Sequence, residues 1–355
     1  MSGVMNVIWF ILILGVIILV HEFGHLIAAK KFGVYCKEFS IGMGPKVWQK
    51  QKGETAWSIR ALPIGGFVAM AGEDSAEEDE DLQIPYERTL NGIKPWKQVI
   101  VMAAGAIMNI LLAWAIFIGI TAYQGSVPQL PEPIVSAVVE NSAAQEAGFQ
   151  VGDEILSLIN IEKDETLVPE STQDILEFLQ FYPGEITYTV LRDGKEIQLT
   201  GTARYNKEES LYLLGIQYDK PAPKEITMLE AIPYGTMRMI DSVKGIMTSL
   251  GKLVQGIGLN SLSGPVGIFQ ITAETTQDGL LSTLSLVALL SVNVGIFNLI
   301  PIPILDGGRI FIILIECLIG KKLSEKVQTG IMLAGLVFII AIMLLATWND
   351  IVRLF

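Results

Sequence analysis

The two histidines of this 355-residue chain stand four apart, in His21-Glu22-Phe23-Gly24-His25. On an α-helix, residues four apart are neighbours on one face, so both imidazoles can reach one metal ion, with zinc the expected choice. The glutamate between them can then act as general base towards a water that the ion activates. A catalytic zinc usually takes three protein ligands and keeps one position open. No further histidine is available, and Glu38, Glu54 and Glu73 lie in loop-like surroundings. The better candidate is Asp306, in Asn298-Leu299-Ile300-Pro301-Ile302-Pro303-Ile304-Leu305-Asp306-Gly307-Gly308-Arg309. Glu316, inside a short apolar piece, is a weaker competitor. Asp306 could instead be the N-cap of a helix beginning near Arg309. The bland reading of the histidine pair, two packed and hydrogen-bonded rings, leaves Glu22 without a purpose.

Composition indicates where this chemistry would occur. The chain is 51% hydrophobic and 17% charged, whereas soluble proteins carry about a quarter charged residues. Its mean hydropathy is +0.48, and the apolar excess collects in long runs, the mark of membrane spans. The net charge of −12 argues against nucleic acid as a partner. Cys36 and Cys317 are too far apart in sequence to suggest a zinc knuckle or a disulfide framework.

The first apolar run, Val4 to Val20, has no basic stretch before it and no small-residue cleavage site, so it reads as a span rather than a signal peptide. Further apolar runs lie at about Trp96 to Tyr123, Leu280 to Ile304 and Ile331 to Trp348. Four spans result, the third ending in a break at Pro301 and Pro303. Between them the stretch Trp57 to Met70 reads as a β-hairpin or loop with Gly65-Gly66 as its flexible point. The acidic run Glu77 to Asp81 reads as a solvated loop. Residues 226–256 read as amphipathic helix, and Ile310 to Gly320 as a helix too short to cross alone.

The expected organisation is therefore a first span over 1–30, a cytoplasmic loop over 31–95 and a second span over 96–124. An outer domain follows over 125–220, an amphipathic linker over 221–278 and a third span over 279–308. A short helix and loop over 309–330 and a fourth span over 331–355 complete the chain. No lysine or arginine occurs between Lys97 and Lys163, whereas the loop from Lys30 to Lys97 and the segment Arg309 to Lys326 are rich in them. Positive residues near span ends favour the cytoplasmic side. Both basic segments are thus expected inside, the outer domain and both termini outside. The first and third spans then cross in the same direction and bring His25 and Asp306 to one side of the membrane. Glu22 would lie about 12 Å along its helix from Lys30, a depth at which ionisable groups face protein or a water-filled cavity.

The outer segment combines Ile134 to Val139, the loop Gly148-Phe149-Gln150-Val151-Gly152-Asp153, a helix over Thr172 to Phe181, and strands Ile186 to Arg192 and Lys195 to Thr202. Asp193-Gly194 is a hairpin signal between the two strands. This small α/β domain resembles a bacterial PDZ domain, which takes peptide ends by strand addition; the plainer alternative is a β-rich spacer.

Together these motifs resemble the site-2 protease family of intramembrane zinc metalloproteases, in its bacterial branch with an outward PDZ domain. The resemblance rests on His21 to His25, Leu62-Pro63-Ile64-Gly65-Gly66-Phe67, Ser263-Gly264-Pro265-Val266-Gly267, and the run from Asn298 to Gly307. A single PDZ domain resembles the Gram-positive members. Gly105-Ala106-Ile107-Met108-Asn109 departs from relatives that have proline after the glycine, which leaves the local helix shape open. The resemblance implies an α-helical membrane protein with about four spans and a membrane-associated cytoplasmic β-loop. It implies one Zn2+ held by His21, His25 and Asp306, with Glu22 as the base. It also implies that Gly65, Gly66 and Phe67 lay an unwound substrate span along a strand edge, with Asn298 assisting. The implied substrates are single-span membrane proteins already cut by another protease, such as anti-sigma factors or remnant signal peptides. Rival readings are a PDZ-bearing scaffold or zinc transporter, and a membrane-anchored protease with a soluble active site.

Overall fold

The computed structural model describes residues 3–73, 83–128, 131–206, 211–219, 223–255 and 262–354. The acidic run Glu77 to Asp81 lies outside the described residues. The chain forms two compact units, one of Met1–Tyr123 with Met228–Phe355 and the other of Gln124–Thr227.

In the first unit, α1 (Gly3–Lys31) buries Ile13, Ile17, His21, Gly24, His25 and Ala28. Steps of three and four residues place all of these on one stripe of the helix. Val4, Ile8, Leu12 and Val16 lie exposed elsewhere on its surface, as expected of a helix bordered by lipid. The hairpin β1 (Cys36–Lys52) and β2 (Thr55–Met70) follows. Its register is not a simple ladder. Phe39 lies opposite both Val68 and Trp57, and Ile41 opposite both Gly66 and Ile59, while Lys52 faces Thr55 at the turn. The first half of β1 thus runs between the two halves of β2. The sequence suggested a hairpin or loop over Trp57 to Met70 alone; the partner strand was hidden because lysines and glycines interrupt its apolar alternation.

Helix α2 (Pro95–Gln124) runs unbroken through Gly105-Ala106. Its buried residues Gln98, Val101, Met102, Gly105, Asn109 and Ala113 form another single stripe.

The second unit holds β3 (Ser126–Val127), β4 (Val135–Val138), the short α3 (Ala143–Ala147), β5 (Glu154–Asn160) and β6 (Glu165–Leu167). Next come α4 (Thr172–Phe181), β7 (Glu185–Arg192), β8 (Lys195–Thr202), β9 (Arg204–Asn206), β10 (Leu211–Leu213), β11 (Ile216–Tyr218) and β12 (Lys224–Glu225). A four-stranded antiparallel sheet runs β6-β5-β7-β8, with β4 paired to β11. Ser171 and Asp174 close a capping box on α4. Asp193 and Gly194, both at positive φ, make the tight turn their types suggest. The core gathers Val135, Ile155, Leu158, Phe178, Ile186 and Tyr188. Beside it the buried Asp153 meets Arg192 at 2.6 Å.

The first unit resumes with α5 (Ala231–Val254), α6 (Pro265–Thr275), α7 (Leu280–Leu299), α8 (Asp306–Ile319) and α9 (Glu325–Leu354). Among the described residues, α1, α2, α7 and α9 are long and apolar enough to cross a membrane. The apolar run from Leu280 to Ile304 is not one helix. It stops at Leu299 because Pro301 and Pro303 cannot donate to a helical ladder. The short helix expected over Ile310 to Gly320 starts earlier, at Asp306.

Candidate active site

Three side chains from two helices meet at one point. His21 and His25 stand on the buried stripe of α1, and Asp306 opens α8 just after the proline break. The Nε2 atoms of His21 and His25 lie 3.1 and 3.3 Å from Asp306 Oδ2. One candidate ligand atom from each residue falls within 4.8 Å of the others. Asp306 Oδ2 is buried, and the two Nε2 atoms are turned towards it. At Nε2 a neutral imidazole offers either one lone pair or one N–H, so two such nitrogens drawn this close to one carboxylate oxygen suit a shared cation. Two imidazole nitrogens and one carboxylate oxygen are the ligand types of a catalytic zinc with an open position. The residues fit that ion.

Asp306 does not cap a helix as the alternative reading had it. The N-cap of α8 is Leu305, without a side-chain cap, and Asp306 is the first helical residue.

Close approach of α1 and α2 depends on two glycines. A Cβ at Gly24 would fall on the Ala104 carbonyl, with Met108 Cγ at 2.8 Å. A Cβ at Gly105 would strike His25 Nε2 and lie 2.8 Å from His21 Nε2. Gly105 thus presents a bare backbone to the two imidazoles of α1, and Gly24 lets α1 approach the backbone of α2 at Ala104. On the far side of the rings, His25 Nδ1 lies 2.8 Å from the Val101 carbonyl, and His21 Nδ1 lies 3.4 Å from Asn109 Nδ2.

Glu22, beside the histidines on α1, reaches β2. Its Oε2 accepts the Val68 N–H at 3.2 Å. A Cβ at Gly66 would come within 3.8 Å of Glu22 Cγ and 2.8 Å of Ser40 O. The segment from Gly66 to Val68 therefore lies directly against the candidate base. Gly65 adopts a positive φ of 82° beside the Met43 side chain. Phe67 carries the Arg60 guanidinium over its ring at 4.9 Å. Asn298 is half-buried in the last turn of α7, eight residues before Asp306.

Polar ties hold this hairpin in shape. Glu38 accepts from Ser58 at 2.5 Å and Arg60 at 2.9 Å, and pairs with Lys46 at 3.0 Å. Burial pushes the Glu38 carboxyl up, but these three partners outweigh it and hold it below the usual carboxylate range. Just beyond β2, Glu73 pairs with Arg309 of α8 at 2.6 Å, which ties the hairpin's end to the helix carrying Asp306.

The model of peptidase family M50 matches residues 9–342. The chain belongs to peptidase family M50. Among curated proteins it is similar to the regulator of sigma-W protease RasP of Bacillus subtilis (strain 168), 34% identical over 99% of both chains. The zinc metalloprotease RasP of Bacillus licheniformis is likewise 34% identical over 99% of each chain. As a member of M50, the chain is an intramembrane zinc metalloprotease of regulated intramembrane proteolysis and a multi-pass membrane protein. The scaffold and transporter readings fall with that membership. In this M50 peptidase, sequence reasoning missed Val101, Val68 and any part for Asn109. Val101 and Val68 act through backbone atoms, which residue type does not announce. Asn109 did carry a signal, being a polar residue within an apolar span, one turn after Gly105.

Proposed function

We propose that His21, His25 and Asp306 hold one zinc ion per chain and that Glu22 is the general base and acid of peptide hydrolysis. The observation that carries this reading is the convergence of both Nε2 atoms on the buried Asp306 Oδ2, with Glu22 alongside. Zinc, when bound, supplies Lewis-acid polarisation of the scissile carbonyl and makes a water a good nucleophile near neutral pH. The remaining steps belong to the chain's own residues. Glu22 takes a proton from the attacking water and returns it to the leaving amide nitrogen, so hydrolysis costs the enzyme no net proton.

A transmembrane substrate hides its peptide bonds in i to i−4 hydrogen bonds and must unwind before attack. In our reading, Gly65, Gly66 and Phe67 of β2 receive the unwound segment as an added strand and compensate its freed backbone groups. Support comes from the contact of Val68 with Glu22, which sets the strand's backbone beside the base. Asn298 assists in holding the substrate near the proline break.

The Gln124–Thr227 unit is proposed to be a PDZ domain facing outward. Its Gly148-to-Asp153 loop, four-stranded sheet and capped helix α4 support this. It would take peptide ends and exclude substrates whose outer part is still intact. The basic residues flanking the hairpin and α8 favour a cytoplasmic active site. The sigma-W regulator name of the Bacillus subtilis relative supports anti-sigma factors as substrates, with remnant signal peptides a second single-span class.

The test is cleavage of a single-span model substrate, shortened on its outer side, by purified protein in detergent. Wild-type cleavage that a zinc chelator stops and Glu22→Gln abolishes is expected. Undiminished cleavage by Glu22→Gln would overturn the assignment of the base.

A further inference from the structure

We infer that Asn109 is a positioning residue for the metal site: its side-chain oxygen accepts the Nδ1–H of His21 and so turns the His21 Nε2 lone pair towards the metal. This rests on the reading of His21, His25 and Asp306 as zinc ligands.

A neutral imidazole carries one N–H and one lone pair, so a ring that offers Nε2 to a metal keeps its proton on Nδ1. For His25 the partner is evident. Its Nδ1 lies 2.8 Å from the Val101 carbonyl, which can only accept, so that ring's tautomer is fixed. For His21 the corresponding neighbour is the Asn109 amide, with Nδ2 at 3.4 Å from Nδ1. Asn109 is completely buried, and its Oδ1 has no hydrogen-bond partner. The two ends of a carboxamide have the same shape, and only the hydrogen-bond network distinguishes them. Once Nδ1 of His21 carries a proton, an amide N–H facing it would set donor against donor. Turning the amide over puts Oδ1 opposite that proton and gives the unpartnered oxygen its donor.

The helix pair is built for this. His21 and His25 lie one turn apart on α1, while their partners Asn109 and Val101 lie two turns apart on the buried stripe of α2. Gly105 stands midway between those partners, and its missing side chain leaves room for both rings. The backbone of Asn109 is itself held, because its carbonyl accepts the Ser291 hydroxyl of α7 at 2.8 Å. Two acceptors on α2, one backbone and one side chain, thus aim two histidines at one point. Partners behind metal-bound histidines are worth about 10–100-fold in metal affinity.

The experiment measures zinc affinity of the full chain by competition with a chromophoric chelator, for wild type, Asn109→Leu, Asn109→Asp and Asp306→Asn. Asn109→Leu keeps the volume and removes the acceptor, and is expected to bind zinc about 10–100-fold more weakly. Asn109→Asp keeps an acceptor and is expected to bind within a few-fold of wild type or tighter, about the range a retained second-layer contact allows. Wild-type affinity in Asn109→Leu, or equal weakening in both variants, would overturn the proposal. Full affinity in Asp306→Asn would instead show that the ligand set itself is wrong. A second readout needs no variant to fold. With two histidines in the chain, the ring 15N and N–H resonances of zinc-loaded wild type are few enough to assign. A slowly exchanging Nδ1–H on both rings is expected; its absence from His21 would overturn the proposal.

Discussion

The Val68 backbone N–H donates to the Glu22 carboxylate across 3.2 Å, joining the edge of a β-hairpin to the membrane helix that carries both histidines. Glu22 and Val68 are 46 residues apart, and this bond brings the proposed base to the strand on which a substrate would lie. Under the proposed mechanism, strand docking and proton transfer would share one location, so a substrate that pairs correctly would already lie beside the base.

A side chain at position 66 should break that arrangement without touching the ligands. Gly66→Val would press on Ser40 O and on Glu22. A misplacement of about 1 Å costs roughly a hundred-fold in rate. We expect kcat/KM to fall by about that factor while zinc content stays at the wild-type level. Cleavage rate and metal analysis on one preparation check it; loss of zinc would mean that the hairpin shapes the ligand set too.

Gly105→Ala should act on the opposite side. Its methyl would lie against both imidazoles, displacing a ring or forcing α1 and α2 apart. Zinc affinity should drop by about 10–100-fold, the range seen when ligand support is disturbed. Overpacking should also cost about 1–3 kcal/mol of stability. Chelator competition and thermal unfolding in detergent measure the two effects separately.

How much of this was legible in residue types varies with the kind of interaction. The histidine pair, Glu22 and Asp306 could be picked out because few residue types ligate metals, and spacing put two of them on one helix face. The strands flanking Asp193-Gly194 followed from turn chemistry, and the helix expected over Thr172 to Phe181 forms behind the Ser171–Asp174 capping box. Strand β1 did not, since Lys46, Gly42 and Gly44 mask its pattern and its pairing partners are long-range. The start of α8 at Asp306, rather than near Arg309, follows from the packing of Gly307 and Gly308 against the proline break. Val101 and Val68 were illegible because their contribution is a carbonyl and an amide that every residue owns.

The second unit should weaken in acid through one ion pair. Burial pushes the Asp153 carboxyl up, but Arg192 and the Gln150 N–H outweigh it, leaving its folded value below the ordinary 3.8. A depressed carboxylate contributes stability that is present above its unfolded value and lost as pH falls through the folded one. Exchange protection of β5 and β7 amides in the full chain should therefore hold steady from pH 7 to about 5 and fall below about 4. Asp153→Asn should lower that protection by about 1–2 kcal/mol at neutral pH, since Arg192 is partly exposed and keeps its bond to the Gly148 carbonyl, and flatten the acid limb. An unchanged acid limb in the variant would assign the effect to other groups.

The central claim is that one zinc sits between His21, His25 and Asp306 while Glu22 does the proton transfer. Its most direct test is to measure zinc per chain and cleavage together in wild type, Glu22→Gln and Asp306→Asn. The account predicts about one zinc with activity in wild type, about one zinc with roughly a thousand-fold loss of activity in Glu22→Gln, and loss of both in Asp306→Asn. Full zinc and full cleavage in Asp306→Asn, or full cleavage in Glu22→Gln, would contradict it.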